Sequence, residues 1–245
     1  MLRIAAALLA LALATNAFAN EAQIRRALEP KLGGAKIEGV QPGPVPGLFE
    51  VRFRSQEGVQ VVYTDATGTY VIQGKIYDIR NDRDLTEERL RKLNAIRFEQ
   101  LPLDQAVKIQ RGNGSRVLAM FSDPYCPACR QFERELAKVD NLTVYVFMYP
   151  VIRPANKDHS KQVWCSPDRA KAWLELAAAP RPKVPEGVPS NCANPVEKTL
   201  ELGRSLGVSA TPTSFLVNGE RFSGMMPASD LSELLDQAAR EAKKP

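Results

Sequence analysis

Two cysteines, Cys126 and Cys129, form a C-P-A-C motif between an apolar segment and a helical one. Residues 117–121 are apolar and predict a buried strand, and the residues from Pro127 onward predict a helix. Proline is favoured at the first position of a helix, where a backbone N–H would lack an intrahelical partner in any case. The motif therefore indicates an α/β arrangement with the cysteines at a helix N-terminus.

The position of the motif predicts redox chemistry. Free backbone N–H groups and the dipole at a helix N-terminus favour a thiolate, so Cys126 is the candidate catalytic nucleophile. Cys129 lies one helical turn further along and can attack a mixed disulfide formed at Cys126. A purely structural disulfide is the alternative, but so short a loop closes too little chain to stabilise the fold much.

Metal and cofactor chemistry is not expected. The chain contains four cysteines and one histidine, His159. A four-thiolate zinc site needs two closely spaced pairs, and this chain has only one. His159 has no partner set in the sequence for general-base catalysis, and we expect it at the surface.

Cys165 and Cys192 form a second pair, in a helical stretch interrupted by prolines at residues 158–206. A disulfide between them would be a structural staple across an irregular insertion. The alternative is a second redox pair that passes electrons to Cys126, although neither thiol lies at a predicted helix start.

The composition is that of a folded globular protein and does not indicate nucleic-acid binding. Of the 245 residues, 44% are apolar and 25% are charged. The 33 basic and 28 acidic residues give a formal charge of +5, with the two signs mixed and no basic block. We therefore expect no nucleic-acid partner.

Residues 1–19 have the features of a secretory signal peptide. Arg3 supplies a positive start, residues 4–14 are almost purely Ala, Leu and Ile, and Ala17 and Ala19 place small residues before a cleavage site. The apolar run is shorter than the roughly 20 residues that a membrane span needs. We expect cleavage after Ala19 and export to an oxidising compartment, where disulfides persist.

Residues 20–80 predict a small unit of one helix and an antiparallel sheet. Apolar residues recur every four positions in the predicted helix: Ile24, Leu28 and Leu32. An alternation with a period of two over residues 49–53 and 59–63 indicates strands. So small an open sheet has a marginal core and unpaired edges, so we expect dimerisation through those edges. The alternative is a unit that folds alone or packs on the rest of the chain.

Residues 81–101 predict a charged linker helix that begins with a capping box at Asp84. The alternative is an ordinary surface helix of one domain. Residues 102–245 then show an α/β pattern. Its further expected elements are strands at residues 142–148 and 214–217, a hairpin turn at Asn218-Gly219 and a last helix from about Pro227.

Thr211-Pro212 precedes the strand predicted at residues 214–217. A trans X–Pro bond is the statistical norm. A cis bond would bring the Thr211 backbone against the Cys126–Cys129 pair, where an extended client chain could pair with it. The sequence alone leaves both forms open.

The chain carries, in order, a signal-like segment, a small N-terminal module, a charged helix, F-S-D-P-Y-C-P-A-C before a helix, a second cysteine pair and G-V-S-A-T-P before the last strands. This order resembles the periplasmic protein-disulfide isomerases of the DsbC/DsbG family over essentially the whole mature chain. The resemblance implies a V-shaped homodimer. Each chain would have an α+β N-terminal dimerisation domain, a linker helix and an α/β thioredoxin-like domain with a helical insertion.

The resemblance also implies the roles of the residues. Cys126 would attack a wrong disulfide in a misfolded client protein, Cys129 would release the enzyme from a stalled client, and Thr211 with cis-Pro212 would contact the client backbone. A membrane reductase of the DsbD type would keep the catalytic pair reduced. The Pro127-Ala128 pair between the cysteines is neither the Gly-Tyr usual for DsbC nor the Pro-Tyr usual for DsbG, whereas the second cysteine pair is similar to DsbC.

The predicted function is therefore thiol:disulfide isomerisation in the periplasm. Two alternatives stay open on the sequence. One is a thiol oxidase or sulfenic-acid reductase on the same scaffold, and the other is a holdase chaperone in which the cysteines are secondary.

Overall fold

The computed structural model describes residues 20–55, 58–179 and 181–243. The chain divides into two compact units with the boundary between Asn94 and Ala95. The predicted signal peptide lies outside the described residues. None of the helices within the described ranges combines the length and apolar character that a membrane crossing requires.

The N-terminal unit places a helix, α1 (residues 20–28), on a four-stranded antiparallel sheet in the order β1-β2-β3-β4. The strands are β1 (Ile37–Pro42), β2 (Phe49–Ser55), β3 (Gly58–Thr64) and β4 (Val71–Ile72). A two-stranded ribbon, β5 (Tyr77–Asp78) and β6 (Arg83–Asp84), leads into α2 (Leu85–Leu93). The helix and strands predicted from the apolar periodicity at residues 24–32, 49–53 and 59–63 are present.

The hydrophobic cluster between α1 and the sheet is small. Ile24 and Leu28 of α1 pack against three sheet residues, Ile37, Val51 and Val62. The strand β4 forms an edge of the sheet and pairs only with β3. Its two residues are about half exposed, Val71 at 51% and Ile72 at 49%.

Helix α2 is shorter than the predicted range 81–101 and packs on the sheet of its own unit. The carboxylate of Asp84 caps it by accepting from the backbone N–H of Glu87. The guanidinium of Arg89 pairs with the buried Glu50 carboxylate at 3.0 Å. The helix ends at Leu93. The side chain of the next residue, Asn94, bonds to the backbone of β3, where its amide oxygen accepts from the Val59 N–H at 2.8 Å.

The C-terminal unit is a five-stranded mixed sheet in the order β11-β10-β8-β9-β7. Its strands are β7 (Val107–Gln110), β8 (Arg116–Ser122), β9 (Leu142–Met148), β10 (Thr213–Leu216) and β11 (Arg221–Ser223). Its helices are α3 (Pro127–Leu136), α4 (Lys157–Cys165), α5 (Arg169–Ala177), α6 (Val196–Ser205) and α7 (Ala228–Ala242). Short 3-10 turns lie at Glu29–Lys31, Phe98–Gln100, Leu103–Gln105 and Pro154–Asn156.

The order of these elements places the C-P-A-C motif at one end of the sheet. β8 and β9 are parallel and are joined by α3, whereas the other pairs in this sheet are antiparallel. α4, α5 and α6 form the predicted helical insertion between β9 and β10. The core under the motif is aromatic, with Phe121 of β8 stacked on Phe147 of β9 at 4.9 Å between ring centroids.

The predicted Asn218-Gly219 turn joins β10 to β11, and it also forms a hydrogen bond with the first residues of the C-terminal unit. The Gly219 carbonyl accepts from the Ile96 N–H at 2.9 Å. Gly219 has φ +84°, and a Cβ there would lie 1.9 Å from the Ile96 carbonyl oxygen. Glycine is therefore required at this turn by both backbone conformation and space.

A buried carboxyl group fastens the motif helix to the insertion. Glu133 of α3 is 2% exposed and accepts a hydrogen bond of 2.7 Å from the indole N–H of Trp173 on α5. Burial raises the pKa of Glu133, and the Trp173 bond and the charge of Arg111 offset part of that rise. The folded protein therefore holds this proton more tightly than the unfolded chain does.

We predict that Glu133→Gln removes a pH-dependent loss of stability. The amide oxygen that the substitution introduces still accepts from Trp173, but the new side chain cannot ionise. Because the pKa of Glu133 is higher in the folded state, the wild type should lose stability relative to the variant as the pH rises above about 4.3. The loss should be at most about 1.4 kcal/mol per pH unit, and it should stop once the pH passes the folded-state pKa. Urea unfolding at several pH values measures the difference. Glu201→Gln, at an exposed glutamate of α6, is the control, and an equal response of both variants would contradict the prediction.

Candidate active site

Cys126 is the N-cap residue of α3, with Pro127 at the first helical position. Its backbone N–H donates to the Asp123 carbonyl at 3.1 Å, which closes the turn between β8 and the helix. Its thiol donates to the Thr211 carbonyl oxygen at 3.2 Å. The predicted nucleophile therefore lies at a helix N-terminus and against the residue that precedes Pro212.

The Thr211-Pro212 peptide bond is cis. This is the form that the resemblance implies and that the sequence alone leaves open. The Pro212 carbonyl accepts from the Gly224 N–H at 2.8 Å, and β10 begins at the next residue, Thr213. This bond ties the loop before β10 to the residue that follows β11.

Cys129 lies on the first turn of α3 and is fully buried. Burial raises the pKa of its thiol to about 12, and the charge of Cys126 adds to that rise. Three groups act in the opposite direction: the hydroxyls of Ser122 and Thr211 and the backbone N–H of Asp123. Neither hydroxyl is engaged in a hydrogen bond elsewhere among the described residues, so each is free to turn toward the Cys129 sulfur.

Asp123 is a buried residue of this loop that the sequence reasoning missed. Its carboxylate accepts from the Tyr125 N–H at 2.8 Å through one oxygen and from the Ile152 N–H at 2.7 Å through the other. The signal in the sequence is an aspartate two residues before Tyr125, since aspartate side chains commonly accept from a backbone N–H two residues on. The hydrogen bond that Asp123 accepts from Ile152, in the segment after β9, cannot be predicted from neighbouring residues in the sequence.

The sole histidine, His159, was expected at the surface. It lies partly exposed on α4, where its Nδ1 shares a hydrogen bond with the Tyr125 hydroxyl. The Arg153 guanidinium lies over the Tyr125 ring at 5.6 Å from its centroid. Tyr125 directly precedes Cys126, so these contacts shape the surface beside the nucleophile.

Cys165 and Cys192 are joined by a disulfide with Cα atoms 6.0 Å apart. It links the end of α4 to the loop before α6. Cys126 and Cys129 are free thiols. Within the described ranges, no three His, Cys, Asp or Glu side chains group as a metal site would require.

Two family models cover most of the chain. Residues 103–239 match the thioredoxin-like domain, and residues 15–87 match the N-terminal domain of disulfide bond isomerase proteins. The probable thiol:disulfide interchange protein DsbC of Bordetella pertussis is 39% identical over 213 residues, which span 86% of this chain and 73% of that protein. The chain belongs to the DsbC family. This membership confirms the predicted family, the predicted combination of α+β and α/β domains, and thiol:disulfide isomerisation as the function.

Other DsbC relatives extend the match over more of their own length. The thiol:disulfide interchange protein DsbC of Escherichia coli K12 is 28% identical over 227 residues, which span 89% of each protein. Among solved structures, a disulfide interchange protein from Neisseria gonorrhoeae is 40% identical with a TM-score of 0.53. It covers 57% of this chain and 99% of its own, so the likeness there concerns one part of the chain.

We predict that Ser122→Ala slows the attack by Cys129. The hydroxyl lowers the pKa of the buried Cys129 thiol, and a hydrogen bond to a charged acceptor contributes about 1.5–3 kcal/mol. A mixed disulfide between Cys126 and glutathione should therefore persist about tenfold longer in the variant. Acid quenching followed by mass spectrometry measures its lifetime.

Ser214→Ala is the matched control, because the Ser214 hydroxyl on β10 is also buried without a partner among the described residues. It is not one of the groups that lower the pKa of Cys129. A lifetime that is unchanged by Ser122→Ala, or lengthened equally by the control, would refute the role of Ser122.

Proposed function

We propose that this protein is a periplasmic thiol:disulfide isomerase that rearranges wrong disulfides through Cys126. The observation that carries the proposal is the asymmetry of the catalytic pair. Cys126 is the N-cap of α3, and its thiol contacts the Thr211 carbonyl of the cis-proline loop. Cys129 is fully buried, and burial raises the pKa of its thiol to about 12. Membership of the DsbC family supports the same reaction.

The reaction begins when the Cys126 thiolate attacks one sulfur of a client disulfide. A bond forms between Cys126 and that sulfur, the client S–S bond breaks, and the other client sulfur leaves as a thiolate. A second client thiolate then attacks the mixed disulfide, forms a new client S–S bond and returns Cys126 as a thiolate. Bonds are exchanged, and no net oxidation takes place.

Cys129 supplies the exit from a stalled mixed disulfide. Its thiolate attacks the Cys126 sulfur, the bond to the client breaks, and the client leaves reduced while Cys126 and Cys129 form a disulfide. Two electrons must then return from a dithiol reductant, for which we propose a DsbD-type membrane reductase. Residues Thr211 and Pro212 would contact the client backbone beside Cys126.

The edge of the N-terminal sheet supports a homodimer. Exposed apolar residues cluster on β4 and on the chain around β5: Tyr70, Val71, Ile72, Tyr77 and Ile79. An edge strand with unpaired N–H and C=O groups and apolar side chains is a ready surface for pairing with a second copy. We propose that residues 20–80 form the dimerisation domain, that 81–101 link it to the catalytic domain at 102–245, and that residues 1–19 direct export.

Reactivation of a scrambled multi-disulfide protein in a glutathione buffer tests the isomerase. The wild type should restore activity, Cys126→Ala should abolish the catalysed rate, and Cys129→Ala should retain part of it while mixed disulfides accumulate. Net oxidation of a reduced client without reactivation would instead support a thiol oxidase. Equal rescue by Cys126→Ala would support a holdase chaperone.

We predict that Val71→Asp with Ile72→Asp yields a monomer, because two carboxylates on the edge strand oppose its pairing. Light scattering should give the mass of one chain for the variant and of two for the wild type. Val45→Asp, at an exposed apolar residue elsewhere in the same unit (40% exposed), should leave the dimer intact. A wild type that is already monomeric at micromolar concentration would refute the dimer.

A further inference from the structure

Three residues that follow β9 form an exposed ledge, Val151, Ile152 and Arg153. Val151 is 37% exposed and Ile152 is 51% exposed, although the strand that leads to them is buried. The reaction described above does not use the ledge. Its apolar side chains have no covering element among the described residues, and they lie in the same compact unit as the catalytic cysteines.

The ledge has a fixed place relative to the nucleophile. One oxygen of the buried Asp123 carboxylate accepts from the Ile152 N–H at 2.7 Å, and the other accepts from the Tyr125 N–H at 2.8 Å. The Asp123 carbonyl accepts from the Cys126 N–H at 3.1 Å. One residue therefore anchors both the ledge and the turn that presents Cys126.

The charge of the ledge is positive and unbalanced. The Arg153 guanidinium lies over the Tyr125 ring, and it has no carboxylate within ion-pair distance among the described residues. The nearby Asp158 carboxylate already pairs with Lys161 at 3.0 Å. The Asp123 carboxylate is buried, and its two oxygens are occupied by backbone N–H groups.

We propose that the ledge is a specificity subsite for the client chain. It favours clients that carry an apolar residue and an acidic residue close to the cysteine that Cys126 attacks. The proposal rests on the proposed function, because it requires a client held at Cys126. Ile152 and Val151 contact the apolar side chain, and Arg153 pairs with the carboxylate. The occupant is an extended client segment, because a chain held at Cys126 can continue past the Tyr125 ring that Arg153 covers. Side chains two residues apart in such a chain point to the same face, so one can reach the apolar residues and the other Arg153.

Two synthetic peptides test the charge preference. They are identical except that one carries Leu-Gly-Asp and the other Leu-Gly-Lys next to a single cysteine, which is capped as a mixed disulfide with a chromogenic thiol. Attack by the reduced full-length protein releases the chromophore, and the second-order rate constant is measured for each peptide at low salt. The wild type should react about three- to fivefold faster with the acidic peptide, the scale of one partly exposed ion pair.

Three variants identify the residue responsible. Arg153→Gln should bring the ratio of the two rate constants to about one, and Arg153→Glu should invert it. Arg181→Glu makes the same change of charge at an exposed position in the loop after α5, and should leave the ratio unchanged. An unfolded fraction of a variant would bring the ratio toward one but could not invert it, so the inversion expected for Arg153→Glu separates loss of the subsite from unfolding.

The apolar part of the ledge has its own test. Ile152→Ser keeps the backbone N–H that Asp123 holds, and it should slow the reaction with the Leu-Gly-Asp peptide about threefold while leaving that with a Gly-Gly-Asp peptide unchanged. Equal rates for all peptides on the wild type, or equal shifts in Arg153→Glu and Arg181→Glu, would overturn the subsite alone. Absence of exchange with every peptide would overturn the proposed function together with the subsite.

Discussion

The active site depends on how Asp123 holds the turn between β8 and α3. The residue is fully buried, and its carboxylate oxygens and its carbonyl together accept three backbone N–H groups, those of Tyr125, Cys126 and Ile152. Its own N–H lowers the pKa of the Cys129 thiol. A buried carboxylate is costly unless it is hydrogen-bonded, so this residue strongly specifies one conformation of the loop. The position of the nucleophile, the buried thiol and the neighbouring surface all follow from that conformation.

The two thiols of the motif differ because the helix places them differently. Cys126 caps α3 and keeps 5% of its surface exposed, with its thiol bonded to the Thr211 carbonyl beside the cis-proline. Cys129 lies one turn inside, where burial raises the pKa of its thiol and only the Ser122 and Thr211 hydroxyls and one N–H offset that rise. An isomerase benefits from this difference, since a second thiol that attacked too readily would reduce each client before its disulfides could rearrange. With the proposed roles, isomerisation and release would compete at one sulfur, and the environment of Cys129 would set the balance.

Much of the fold could be predicted because it is encoded in local patterns. The strand, C-P-A-C and helix succession, the Asn218-Gly219 turn and the amphipathic α1 each depend on residues close in sequence. The cis state of Pro212 and the contact of His159 with Tyr125 depend on packing between distant segments, which periodicity does not report. The length of α2 was overestimated for the same reason, because Asn94 ends the helix by bonding to β3. Asp123 was missed because its contact with Ile152 joins two loops that only the folded sheet brings together.

We assign Cys126 as the reactive nucleophile and Cys129 as the shielded second thiol. Timed alkylation of the reduced full-length protein with iodoacetamide at neutral pH, followed by peptide mapping, tests this assignment. Cys126 should be modified first, and Cys129 should stay unmodified until the protein is unfolded. Modification of Cys129 at a rate equal to or greater than that of Cys126 would contradict it.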